Sequence, residues 1–218
     1  MKKVFAYGGV AASAVLIVFG IGSLVVGFNG RDEVKTSIAR EHIVGTPDMT
    51  PTAIKAEAKK AGLDVSSLDI PSASVAGKAI DTGSEAKTFA GYMRIHTLEA
   101  THGYTYAQMG RYEAKPGTPA KFLAAGGGTD DPAHAVIDPK SKQPVSNAAR
   151  DIWVTETGLT TALNTSYFAQ QVALWSIVMG AALLLTGLGF LVLTLGGVLG
   201  TVSVPRPHLH GHPAGTTM

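Results

Sequence analysis

The sequence predicts a mainly α protein: an N-terminal and a C-terminal transmembrane helix flanking a mostly helical extracytoplasmic domain with a long irregular loop. Three observations predict it. No charged residue stands between Lys3 and Arg31, none stands between Glu156 and Arg206, and all 16 acidic residues fall from Asp32 to Glu156. Residues 1–28 then form a cytoplasmic tip and the first span, 29–170 the outer domain, 171–204 the second span, and 205–218 a cytoplasmic tail.

The first apolar run, Val4 to Phe28, supplies the roughly 20 residues that a helix needs to cross a bilayer core about 30 Å thick. It exceeds the ~7–15 residues of a signal-peptide core and lacks a good A-x-A site, so a retained anchor is expected despite the basic Met1-Lys2-Lys3 start. The second run, Val172 to Val204, is longer than the core and must tilt or end in a non-helical tail. Lys2, Lys3 and Arg206 flank the two runs, and the positive-inside rule puts both termini in the cytoplasm of a two-pass plasma-membrane protein. The outer region carries 15 of the 18 basic residues, but long loops translocate regardless of charge. Tyr7 is placed as an inner interfacial anchor, and Tyr167 and Trp175 as outer ones.

Between the spans, Arg31 to Val44 has helical spacing of Val34, Ile38 and Ile43, and Gly45-Thr46-Pro47 stops it. Thr50-Pro51 opens a helix that Gly62 ends, with Lys59 and Lys60 set against its dipole. Leu63 to Thr82 reads as loop with a short strand. Ser84 is expected to cap a third helix, which continues to about Thr101. Five prolines and Gly126-Gly127-Gly128 make Lys115 to Pro144 irregular, and such loops are uncommon unless they bind something or move. Ser146-Asn147 caps a last helix that no proline separates from the second span, with Gly158 as the expected bend.

Composition excludes several classes. The chain has no cysteine, hence no disulfide, thiolate metal site or cysteine nucleophile. A formal charge of +2 without a basic cluster gives no footprint for nucleic acid. Gly-x-Ser-x-Gly and His-Glu-x-x-His are absent, and the glycine triplet lacks the Gly-Lys-Ser/Thr of a phosphate loop. No catalytic residue and no cofactor is expected.

One metal candidate stands out. His96, Glu99 and His102 are spaced three apart, and Glu-x-x-His on one helix face is a di-iron element. A full site of that kind needs further carboxylates and a second Glu-x-x-His, so an ordinary polar helix face is the plainer account. Asp130-Asp131-Pro132-Ala133-His134 lacks EF-hand spacing and reads as a solvated turn. His208, His210 and His212 alternate in the tail. The strongest interaction signal is in the spans. Gly8 with Ala12 and Gly9 with Ser13 pair small residues four apart, Gly196 with Gly200 makes a G-x-x-x-G, and Gly180 and Gly187 add smooth surface. Small residues let helices approach closely in lipid.

Gly45-Thr46-Pro47-Asp48-Met49-Thr50-Pro51, Tyr92-Met93-Arg94-Ile95-His96, Thr105-Tyr106-Ala107-Gln108-Met109-Gly110-Arg111 and Pro144-Val145-Ser146-Asn147-Ala148-Ala149-Arg150 together resemble an uncharacterised family of actinobacterial two-span membrane proteins. The likeness runs from about Arg31 into the second span. The resemblance implies that topology and that host group. Members often carry the label aromatic ring-opening dioxygenase, whose extradiol chemistry needs iron held by two histidines and a carboxylate. The outer region offers His42, His96, His102 and His134.

The expected function is that of a non-enzymatic membrane protein, a self-assembling or accessory subunit that scaffolds or stabilises a membrane complex. Its partners are lipid and other membrane-protein subunits or copies of itself. The alternatives are a metal-dependent membrane-bound enzyme using His96, Glu99 and His102, and a homo-oligomeric pore.

Overall fold

The computed structural model describes residues 2–196, which are mainly helical and contain no β-strand. Four α-helices follow in order among them: α1 (Lys2–Ala39), α2 (Pro51–Lys60), α3 (Gly83–Ala100) and α4 (Ala148–Leu195). The chain forms two compact units, one built from the stretches up to Val26 and from Ser176 onward, the other from Gly27–Trp175. Gly200, Arg206, the three tail histidines and the 205–218 tail lie outside the described residues.

α1 and α4 are long and apolar enough to cross a membrane. In the first unit they meet along small residues. Ser13, Gly20, Gly180 and Gly187 are buried, and the seven-residue intervals from Ser13 to Gly20 and Gly180 to Gly187 keep them on one face of each helix. A methyl group added to Gly180 would sit 2.8 Å from the Gly20 carbonyl oxygen and 2.8 Å from the Leu24 nitrogen. Both obstacles are backbone, so only glycine permits this approach. The remaining surface of the pair is apolar and exposed, including Val15, Val18, Phe19, Val178, Leu185 and Val192.

The second unit has a conventional core. Ile38, Met49, Ile54, Ala58, Val75, Ile80, Phe89, Tyr92, Ile95 and Leu163 are buried together. Tyr92 is fully buried, and its hydroxyl donates to the Ala73 carbonyl at 2.8 Å. Thr50 caps α2 by accepting from the Ala53 amide at 3.1 Å, with Pro51 in the first turn, as the sequence predicts. Gly62, at φ +80°, and Leu63 close α2 by bonding back to the Lys59 and Ala58 carbonyls, a Schellman ending.

Three boundaries differ from expectation. α1 ends at Ala39 rather than Val44, because His42 takes a left-handed turn (φ 52°). The next residues instead pair with a second segment, through Ile80 N–H to Ile43 and Gly45 N–H to Lys78. The cap of α3 is Thr82, not Ser84. Thr82 accepts from the Glu85 amide while Glu85 accepts from the Thr82 amide, a reciprocal capping box. α4 stays helical through Gly158, which nothing approaches, so one helix runs from Ala148 to Leu195.

The Lys115 to Pro144 segment is irregular but internally bonded. Tyr112 and Thr129 exchange both backbone hydrogen bonds, Lys115 bonds to His134, Val136 to Glu113, and Val145 to Val136. Asp138 accepts from the Lys140 and Ser141 amides in a tight turn. Two single-turn 3-10 helices, Ala120–Phe122 and Pro132–His134, fill the interval. The segment is thus ordered by backbone hydrogen bonds within itself and to its flanking residues Tyr112, Glu113 and Val145.

Candidate functional site

His42, His96, His102 and His134 have three different settings. His42 and His102 each occupy the left-handed position that ends a helix, at φ 52° and 53°. For α3 the ending is again of Schellman type, with His102 N–H bonded to Glu99 and Gly103 N–H to Leu98. Helical geometry stops at Ala100, so the three-residue spacing no longer places His102 on the face of His96 and Glu99. His102 is exposed, and the predicted His96–Glu99–His102 trio does not assemble. His134 is held by Asp131 (Nδ1 to Oδ2 3.0 Å) and stacks on Phe122 at 4.1 Å between ring centroids.

His96 is the exception. It projects from α3 toward Asp48, which lies in the loop before α2, and Nε2 comes within 2.6 Å of Asp48 Oδ2. Glu57 of α2 joins them, and one donor atom from each of Asp48, Glu57 and His96 lies within 4.8 Å of the other two. Packing of α2 on α3 through Ile54, Ala58, Tyr92 and Ile95 brings these groups together. Asp48 and His96 side chains are each one-quarter exposed and Glu57 is exposed. Glu99 follows one turn after His96, half-buried.

Electrostatics mark the cluster. Burial raises the Glu99 carboxyl above its ordinary range, His96 pulls it down, and Glu57 and Asp48 push it further up. Burial also pushes Asp48 up, but hydrogen bonds from Thr46 and its own amide, with the His96 charge, hold it below the usual range. His96 Nε2 is buried against Asp48, and Glu99 Oε1 is a buried atom without a hydrogen-bond partner. Asp48 and Glu57 were not among the sequence-predicted site residues; only the folded contact of two helices reveals them.

The predicted packing residues separate by setting. Gly180 lies against Gly20 and Leu24, and Gly187 against Ile17 and Leu16. Ser13 is buried and donates to the Gly9 carbonyl at 2.7 Å, so the Gly9–Ser13 pair is bonded along its own helix. Gly8 meets nothing and Ala12 is exposed. Gly196 follows the last turn of α4, near only the Val192 carbonyl of its own helix. Gly20, a principal contact, was not predicted, although its seven-residue interval from Ser13 is visible in the sequence. Tyr7 and Trp175 are exposed, while Tyr167 is half-buried with Lys87 Nζ 4.6 Å from its ring centre. Compared with known proteins, the chain has no significant match to a family model, a curated protein or a solved structure.

Proposed function

We propose that the chain is a two-pass plasma-membrane protein with cytoplasmic termini and residues 29–170 outside the cell, and that it serves as a non-enzymatic scaffold or stabilising subunit of a membrane assembly. One observation carries this reading. The α1–α4 pair uses its small residues for its own contact and leaves large apolar side chains exposed around it, among them Phe19, Val26, Leu185 and Val192. In water that surface would be a severe aggregation liability; in lipid it is the expected exterior. Gly8, Gly22 and Gly189 meet no side chain of this chain, which supports docking of further membrane helices there. The outer unit fits a contact role because its long segment is built by its own backbone bonds into a defined surface.

Mass determination on the complex extracted from native membranes in mild detergent tests this. The reading predicts an assembly larger than one chain, at a fixed multiple or with named membrane partners. A monodisperse single chain would contradict it.

A further inference from the structure

We propose that Asp48, Glu57 and His96, with Glu99 beside them, form a binding site for one first-row divalent cation such as Zn2+ or Mn2+. The site staples the loop before α2 to α2 and α3.

The donor set is the first argument. One imidazole and carboxylates are the ligand mixture that suits these borderline cations, whereas an all-oxygen set would favour Mg2+ or Ca2+. The three groups come from separate places in the chain, yet their donor atoms converge within 4.8 Å. Ligands around such an ion sit roughly 3.3 Å apart at tetrahedral angles, given metal–ligand bonds near 2.0–2.1 Å. The 2.6 Å contact of His96 with Asp48 reaches that spacing by a small side-chain rotation, and exposed Glu57 is free to turn inward.

Charge is the second argument. Three carboxylates surround a single imidazole, so the cluster stays net negative even with His96 protonated, and a divalent cation neutralises it. The third argument is Glu99 Oε1, a buried carboxylate oxygen beside the cluster that finds no hydrogen-bond partner. Buried polar atoms are nearly always satisfied, and an orphaned carboxylate oxygen next to two further carboxylates points to a missing positive partner. The role follows from composition. A small outer domain without cysteine has no disulfide to hold it, and a metal that ties three segments together supplies that constraint.

The test uses the full chain with H208A, H210A and H212A replacing the tail histidines, so that they do not bind the probe. Equilibrium dialysis against Zn2+ and Mn2+ is expected to find one ion per chain and a raised thermal midpoint of the outer domain. H96Q and E57Q should each weaken binding about tenfold or more, while H102Q and H134Q leave it unchanged. No binding at micromolar free metal, or H96Q binding like its parent, overturns the site. Should H96Q fail to fold, X-ray absorption on the Zn2+-loaded parent decides. A nitrogen/oxygen shell with a single imidazole is expected, and none or several imidazoles overturns the assignment.

Discussion

The two units solve the same problem, packing helices, with opposite residues. In the unit built from the ends of α1 and α4, the contact is made by Gly20, Gly180 and Gly187, and the large apolar side chains face outward. In the unit spanning Gly27–Trp175, the contact is made by Ile38, Ile54, Phe89, Tyr92, Ile95 and Leu163, and most charged residues face outward, Glu156 being buried. On the proposed two-pass reading, each strategy matches what its surface meets. Where water surrounds a helix, burying large side chains supplies the driving force. Where lipid surrounds it, burial gains little, and close backbone approach supplies the attraction instead.

Substitutions that exchange the two strategies break this contrast. G180L should do the most damage, because its side chain must displace the backbone of Gly20 and Leu24. We expect a loss of about 3 kcal/mol or more, while G189L, which meets nothing within its own chain, leaves the α1–α4 pairing unchanged. Disulfide formation between cysteines introduced on the facing helices reports it cleanly in a chain with no cysteine of its own. I54A removes a fully buried side chain of the other unit and should cost about 2–5 kcal/mol, read as a lowered denaturant midpoint of that unit with helix pairing intact.

Smaller effects sharpen the picture within the outer unit. T82A deletes the cap of α3 and should cost about 1 kcal/mol, seen as a shift of the thermal midpoint. S84A, at the residue the sequence nominated as cap, should cost less. Its hydroxyl takes part in a side-chain bond from Gln170 but caps nothing.

The smallest effect is one of pH. Burial pushes the Glu85 carboxyl up, but hydrogen bonds from Thr82 and Asp81 outweigh it and hold the group below its ordinary value. A carboxyl depressed in the folded state contributes stability that is fully present above its unfolded pKa, about 4.3, and is lost as pH falls through the folded one. E85Q should therefore flatten the acid limb of the stability profile below about pH 4.3, measured by circular dichroism across a pH series.

The sequence made the two long apolar helices legible because absence of charge over a long run is a property of composition and needs no knowledge of packing. The start of α2 was legible for a local reason, since Thr50-Pro51 has chemistry that only a helix N-terminus uses. His42 misled the end of α1, because a left-handed C-terminal residue is commonly glycine and here is histidine, whereas the end of α3 was read to within a residue. The Asp48–Glu57–His96 cluster was half visible. His96 and Glu99 sit a turn apart on one helix, but Asp48 and Glu57 reach them only when α2 packs on α3, which no local spacing records. Gly180 and Gly187 were legible as smooth surface on α4, but Gly20, their counterpart on α1, lies seven residues from Ser13 rather than four.

The central claim is the two-pass topology, and single-cysteine labelling tests it most directly. Cysteine is placed one at a time at Ser141 in the outer segment and at Thr217 in the tail, then treated on intact cells with a membrane-impermeant maleimide. The account predicts that S141C labels from outside and T217C labels only after lysis. Labelling of T217C on intact cells, or protection of S141C until lysis, would contradict it.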